Sequence, residues 1–148
     1  MASAEDALKI GNDIQLLWDK SLIESQVNGQ FKYHRPTPKE VAITTDAPWE
    51  GNVSAYFTFL QDGDEYRAYY RGSHYDTSRK VVTHREVTCV ATSKDGIHWT
   101  KPKLGLWEFE GSKENNIVWD GIGTHCFAPF IDDNPQCPRM RRRMRMQK

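Results

Sequence analysis

The chain has 148 residues, enough for one ordinary domain, and its 38% apolar and 27% charged residues are typical of a globular protein. Its zero net charge divides unequally, because six of the 20 Lys and Arg residues lie in the last ten positions and leave 14 basic against 20 acidic residues in positions 1–138. This acidic body argues against a nucleic-acid-binding face within positions 1–138, and no apolar run approaches the roughly 18 residues of a membrane-spanning helix.

The N-terminal 39 residues give only short structural signals. Residues 1–11 are predicted to be an arm, either frayed or forming a weak helix. The apolar run at residues 14–18 predicts a short core strand. Asn28-Gly29 is a strong hairpin-turn signal, so residues 31–35 are predicted to be the returning strand, which Pro36 ends.

The clearest strands lie between residues 53 and 99. Aromatic and β-branched runs alternate there with turn signals, which predicts an antiparallel sheet. The predicted strands are residues 53–60, 66–71 and 86–92, preceded by a shorter one at 41–43. Asp95 is predicted to bond its own backbone in the turn that follows, and Trp99 is an apolar anchor. Such a small sheet has unpaired edges and needs neighbours to cover it.

Beyond residue 100 the strand signals are shorter. Residues 107–111 alternate apolar and acidic side chains, as a half-buried edge strand does. Residues 117–119 are predicted to start a further strand. Residues 124–131 are predicted to be the first, inner strand of a next sheet, ending in a turn at residues 132–135.

The last ten residues, 139–148, differ in character from the rest of the chain. They show no alternation and combine six basic residues with three of the four methionines. One interpretation is a non-native or disordered end produced by a frameshift. The other is a basic arm that binds nucleic acid or an anionic membrane.

Five motifs follow one another along the chain: DAPWEG at 46–51, YRAYYRG at 66–72, SKDGIHW at 93–99, LGLWEFEGSKENNIVWDG at 104–121 and THCFAPF at 124–130. Over residues 12–138 their order resembles the five-bladed β-propeller glycoside hydrolases of the arabinanase, levansucrase and invertase group (families 32 and 43). The resemblance implies an all-β fold of antiparallel sheets that form the first blade or two of an incomplete propeller, because each blade takes about 40–50 residues.

The resemblance also implies an activity on glycosidic bonds, which needs one carboxylate as nucleophile or base and one protonated acid. The family takes the first carboxylate from its first blade, and Asp46 is the catalytic candidate, although Ala47 interrupts the usual Asp-Pro pair. Trp49 is a candidate for stacking on a sugar ring, and Glu50 is a second carboxylate in the same loop. The alternative stays open that Asp46 caps a turn and Trp49 belongs to the core.

Three further residues are candidates for substrate binding. Asp120 and His125 lie around the loop before the predicted inner strand, and His125 can donate to a sugar hydroxyl. Arg71 ends the second predicted strand and is followed by a long loop that leads to Glu86. Two of them also have a structural interpretation: His125 as a histidine tied to the backbone, and Arg71 as a member of a surface ion pair.

The acid partner is not found among the glutamates between residues 51 and 138, which fall on turns or predicted outer strands. We therefore expect an N-terminal portion of a hydrolase that is inactive alone. A non-catalytic glycan-binding β module and a basic-tailed interaction protein stay open as alternatives. Three widely spaced cysteines give no zinc or redox motif, so no metal or cofactor is predicted. No secretory signal precedes the domain, which predicts a cytoplasmic protein by default, although members of the family are often exported.

Overall fold

The computed structural model describes residues 9, 11–12, 14–16, 20–132 and 136, with the backbone of residues 145–146. The chain divides into two compact units, Met1–Lys39 and Glu40–Lys148. All elements in the described residues are β-strands and all of their ladders are antiparallel, so the predicted all-β class is confirmed. No helix in this described part is long and apolar enough to cross a bilayer.

The first unit contains turns and extended chain, without a strand among its described residues. The predictions of strands at 14–18 and 31–35 are wrong where these residues are described; residues 17–18 lie outside that part. Ile14 and Tyr33 are 92% and 91% exposed, so neither segment packs on a core. Asn28 does adopt a left-handed φ of 57°, but a two-stranded hairpin without further support is marginal in water. Most of the predicted arm at 1–11 also lies outside the described residues.

The second unit is built on one antiparallel sheet. Its first hairpin joins β1 (Ala55–Asp62) to β2 (Glu65–Gly72) through a tight turn at Gly63, whose φ is 63°. The other strands are β3 (Tyr75–Asp76), β4 (Val81–Val82), β5 (Val87–Ser93), β6 (Trp99–Thr100), β7 (Ile117–Trp119), β8 (Pro129–Phe130) and β9 (Arg145–Met146). The main sheet has the order β1-β2-β5-β6, and β7 also pairs with β5.

The three central strands confirm the prediction in substance. The strands predicted at 66–71 and 86–92 correspond to β2 and β5, each within one residue at both ends. The strand predicted at 53–60 is displaced by two residues, to Ala55–Asp62. Its register with β2 shifts between Ala55 and Thr58, where Tyr56 has a left-handed φ of 56°. A bulge of this kind bends the strand and redirects side chains.

Several shorter predictions are wrong. Residues 107–111 do not form a strand; Glu110 and Gly111 take positive φ angles and make a turn closed by a single bridge between Phe109 and Ser112. Residues 41–43 have no ladder partner, although Ile43 packs against the core. Of residues 124–131 only β8 is a strand, and its backbone pairs with β9 from the tail.

The main sheet buries apolar side chains on both faces, because alternate residues of a strand point to opposite sides. One face, here called the Tyr70 face, carries Ala68, Tyr70, Val87, Cys89 and Ala91, which pack with Phe109 and Ile117. The opposite face, the Tyr69 face, carries Tyr69 and Val90, which pack with Phe127. Full burial of a large apolar side chain such as Ile117 contributes about 1.5–3 kcal/mol, so the Tyr70 face holds the larger share of the core.

Candidate functional site

The loop that carries Asp46 and Glu50 is held against the end of β2. The backbone N–H groups of Glu50 and Gly51 donate to Ala47 O at 2.9 and 3.2 Å, which makes a compact turn. Ser73 N then donates to Glu50 O at 2.8 Å. Gly51 has a φ of 67°, and a Cβ there would lie 2.2 Å from Ser73 O. Only glycine fits this close approach, so Gly51 is required for the loop to pack against Ser73.

Glu50 is fully buried, and its carboxylate accepts three hydrogen bonds. Tyr70 OH donates to Oε1 at 2.5 Å, while Lys101 Nζ and Ala47 N donate to Oε2 at 2.7 and 2.9 Å. Burial first, and then the hydrogen bond to this carboxylate, raise the pKa of Tyr70 far above its ordinary value of 10.0. The phenol therefore stays protonated as a donor, and Glu50 acts as the structural centre of the cluster.

Asp46 shares the same ammonium but lies at the surface. Its side chain is 74% exposed, and its Oδ1 accepts from Lys101 Nζ at 2.8 Å. The hydrogen bond and charge of Lys101 lower the pKa of Asp46 below its ordinary value of 3.8. Partial burial lowers the pKa of Lys101, but the hydrogen bonds from Lys101 to Asp46 and Glu50 outweigh burial and raise it overall. Asp46 is therefore an ionised, accessible carboxylate near neutral pH.

Asp46 and Lys101 line an open cleft of about 430 Å³ on the Tyr70 face, together with Ile43, Trp99 and Thr100. The indole of Trp99 is partly buried and is fixed by donation from Nε1 to Gly96 O at 3.0 Å. The cleft thus combines a carboxylate, an ammonium and an aromatic side chain. These are the groups that bind sugar hydroxyls and the apolar face of a sugar ring.

Trp49 packs into the core and does not line the cleft. Its Nε1 donates to Asn116 Oδ1 at 2.6 Å, and its ring meets Phe109 edge-on at 6.3 Å. Asn116 is itself buried and donates to Tyr70 OH and Val90 O at 2.9 and 2.8 Å. Of the two interpretations given to Trp49, the structure therefore favours core packing over sugar stacking.

Arg71 and His125 come together on the Tyr69 face, with Glu86 and Tyr56. We call these four residues the Arg71 cluster. Arg71 Nη1 lies 3.0 Å from His125 Nδ1 and 3.4 Å from Glu86 Oε1. His125 Nδ1 also lies 3.0 Å from Glu86 Oε2, and the guanidinium carbon lies 4.8 Å from the centroid of the Tyr56 ring. Two of the predicted substrate-binding residues are thus neighbours, but on the face opposite the cleft.

Asp120 belongs to neither group. Its carboxylate is ion-paired with Arg85 and is only 14% exposed, while Arg85 Nη2 donates to Glu108 O at 3.0 Å. This arrangement closes the loop before β8 against the loop before β5. Asp120 is therefore held in a structural ion pair, and it is not among the residues that line the cleft with Asp46.

The turn at Asp95 forms as predicted. Asp95 Oδ1 accepts from the backbone N–H groups of Ile97 and His98 at 2.9 and 2.8 Å, and Oδ2 lies 2.6 Å from His98 Nδ1. The hydrogen bond to the His98 ring is the largest cause that lowers the pKa of Asp95, and the same bond raises the pKa of His98 above 6.5. This pair is exposed and is adjacent to Trp99 in the sequence.

Asp46 was a candidate from the sequence, whereas Lys101, which lines the same cleft, was missed and Trp99 was treated as a structural anchor only. No group of three or more His, Cys, Asp or Glu side chains within the described residues is arranged to hold a metal ion. Cys89 and Cys126 are free thiols, and burial raises the pKa of Cys89. Cys137 lies outside the described part.

No protein-family model matches this sequence, and neither a curated protein nor a solved structure matches it.

Proposed function

We propose that this chain is the N-terminal portion of a glycoside-hydrolase-like β-propeller that acts on the glycosidic bonds of a carbohydrate, with Asp46 as the first-blade carboxylate. The observation that supports this most directly is the exposed, ionised Asp46 at a cleft that also holds Lys101 and Trp99. The antiparallel sheet β1-β2-β5-β6 has four strands in its main path, as a propeller blade does.

The chemistry of each carboxylate follows from its surroundings. A nucleophile or base must be anionic, and Lys101 keeps Asp46 in that form. The acid must be protonated, and among the described residues lining the cleft Asp46 is the sole carboxylate. Glu50 is fully buried and already accepts from Tyr70, Lys101 and Ala47. The proposal therefore assigns the acid to a group outside this cleft, and the chain alone binds sugar without cleaving an ordinary glycoside.

A second candidate function is a non-catalytic glycan-binding module. The presence of Asp46 as the sole carboxylate among the described cleft residues favours this module, because an aspartate that only accepts a hydrogen bond from a sugar hydroxyl needs no acid partner. The two candidates differ in whether Asp46 attacks the anomeric carbon or only accepts hydrogen bonds.

The first experiment measures binding. The isotope-labelled chain is titrated with neutral arabino- and fructo-oligosaccharides, and the indole resonance of Trp99 is followed by NMR. Asp46→Asn is expected to weaken binding about 10-fold, the loss of one hydrogen bond to a charged group. Glu114→Gln is the matched control, since Glu114 is also 74% exposed and also pairs with a lysine, Lys103, at 2.9 Å. Absence of binding by every sugar, or equal binding by Asp46→Asn and wild type, overturns the proposal.

The second experiment separates hydrolase from binding module. Dinitrophenyl glycosides of the sugars that bind carry a leaving group that needs no acid. Release of dinitrophenolate by the wild-type chain, and its loss in Asp46→Asn, supports nucleophilic or base catalysis by Asp46. Binding without release supports the glycan-binding module instead.

The ionisation of Asp46 can be checked by NMR of its carboxyl carbon. Lys101→Met is expected to move the pKa of Asp46 back towards 3.8, because Lys101 is the largest cause of the depression. The sign follows from linkage: the folded-state pKa lies below the unfolded one, so the contribution of Asp46 to stability is present above pH 3.8 and is lost as the pH falls through the folded pKa. An unchanged pKa in Lys101→Met contradicts the assignment of Lys101.

A further inference from the structure

The Arg71 cluster and its neighbour Thr88 each contain a buried polar atom without a partner. Arg71 Nε is buried with no hydrogen-bond partner, and so is Oγ1 of Thr88, the residue paired with Arg71 across β2 and β5. Paired residues of neighbouring strands point to the same face, so both atoms lie on the Tyr69 face. Buried polar atoms are nearly always paired, so two unpaired ones on the same face are unusual and are not explained by packing alone.

Glu86 only partly neutralises the guanidinium. Its contact with Arg71 is a single N–O distance of 3.4 Å, whereas a carboxylate in a bidentate arginine fork lies at about 2.7–2.9 Å. Glu86 also contacts His125 Nδ1 at 3.0 Å, and the same ring nitrogen lies 3.0 Å from Arg71 Nη1. Arg71 Nη1 also lies 3.3 Å from His125 Nε2, so a neutral His125 can donate through Nδ1 to Glu86 and accept from Arg71 through Nε2. Arg71 Nη2 donates to Val53 O at 3.2 Å, which leaves Nε without a partner and leaves Nη1 with a loosely bound carboxylate that another carboxylate can replace.

Tyr56 supplies an apolar surface beside the fork. Tyr56 is 51% exposed, and its ring centroid lies 4.8 Å from the guanidinium carbon and 5.3 Å from the centroid of the His125 ring. Tyr56 adopts a φ of 56°, which L-residues with bulky side chains rarely do, and strained residues of this kind cluster at ligand clamps. An aromatic face next to a carboxylate-binding fork matches a sugar that carries a carboxylate.

We propose that the Arg71 cluster binds a uronic acid unit of an acidic glycan. The carboxylate of the sugar takes the place of Glu86 at Arg71 Nη1, and the sugar ring lies against Tyr56. His125 then pairs with the displaced Glu86. The assignment of the ligand as a sugar rests on the proposed function. The binding of a carboxylate by Arg71 does not, because the Arg71 cluster lies on the face opposite the Asp46 cleft.

The test uses a trigalacturonate, its neutral methyl ester and acetate as probes, with binding measured by NMR and calorimetry on the full chain. Glu86→Gln removes the competing anion and is expected to tighten trigalacturonate binding by about 3- to 10-fold. Arg71→Lys keeps the charge but loses the fork, and is expected to weaken binding at least about 10-fold. The methyl ester is expected to bind weakly and to be insensitive to Glu86→Gln.

Glu86→Gln probes the same contact without changing Arg71, whose largely buried side chain makes its own variants liable to unfold. Equal trigalacturonate affinity in wild type and Glu86→Gln, or binding by neither, overturns the proposal. Acetate binding as tightly as trigalacturonate overturns its sugar half. Trigalacturonate binding that tightens in Glu86→Gln supports the proposal even where neutral sugars fail to bind the Asp46 cleft. Failure of the proposed function at the cleft is therefore distinguishable from failure of uronate binding at the Arg71 cluster.

Discussion

Replacement of the buried carboxylate of Glu50 by an amide is expected to destabilise the fold. Glutamine has the shape of glutamate but offers one acceptor oxygen where the carboxylate offers two. If that oxygen keeps Lys101 and Ala47, the amide NH₂ faces Tyr70 OH, which already accepts from Asn116 Nδ2 at 2.9 Å. The Tyr70 proton then has no acceptor. Leaving one buried donor unpaired costs about 1–3 kcal/mol, and truncation in Glu50→Ala about 3–5 kcal/mol, as for a broken buried ion pair.

Urea denaturation followed by tryptophan fluorescence measures this cost, because Trp49 contacts the same network through Asn116. Glu114→Gln makes the same chemical change at an exposed ion pair and is expected to alter stability by less than about 0.5 kcal/mol. Adding Tyr70→Phe to Glu50→Gln removes the unpaired donor. The free energy of unfolding that the double variant loses is therefore expected to be at least about 1 kcal/mol smaller than the sum of the losses in the two single variants.

Two results would refute this reasoning about Glu50. One is a loss of stability in Glu50→Gln no larger than that in Glu114→Gln. The other is simple additivity of Glu50→Gln and Tyr70→Phe, which would show that the 2.5 Å hydrogen bond between Tyr70 OH and Glu50 Oε1 contributes nothing specific.

Two further predictions concern the turns. The pKa of His98, read from its ring proton by NMR, is expected above 6.5 and to return near 6.5 in Asp95→Asn; its contribution to stability is fully present below pH 6.5 and is lost as the pH rises through the folded pKa. An equal pKa in both proteins contradicts the pairing. Gly63→Ala is expected to cost about 1–2 kcal/mol, because the φ of 63° is strained for alanine but the space is open. Gly51→Ala, at a similar φ of 67°, is expected to cost clearly more in the same urea assay, because its Cβ would lie 2.2 Å from Ser73 O, and an equal cost contradicts the close approach.

The sequence predicted the parts of the fold that local chemistry determines. Residues 66–71 and 86–92 are aromatic and β-branched, and they became the two central strands. Asp95 bonds its own backbone as aspartate does in turns. The same reasoning failed at residues 14–18 and 31–35, because an apolar run forms a strand only where a neighbouring strand and a core accept it.

The candidate site was only partly predictable, because its contacts are non-local. Asp46 and Lys101 are 55 positions apart, and Trp49 and Asn116 are 67 positions apart. Nothing in the local sequence signals that Lys101 would reach both carboxylates, or that Asn116 would hold Trp49 in the core. A lysine two positions after a predicted apolar anchor was the available clue, and it becomes informative only once the register of β5 and β6 is known.

The two candidate sites share one structural support, which gives the proposals a common consequence. Tyr70 and Arg71 are adjacent on β2, so they point to opposite faces of the sheet. The chain around Gly51 supports both, because Glu50 binds Tyr70 on one face and Val53 O accepts from Arg71 Nη2 at 3.2 Å on the other. Gly51→Ala is therefore expected to weaken neutral-sugar binding at the cleft and uronate binding at the Arg71 cluster together, whereas Gly63→Ala, at the far end of β2, should leave both unchanged. Loss of neutral-sugar binding without loss of uronate binding in Gly51→Ala, or the reverse, would show that the two faces are supported independently.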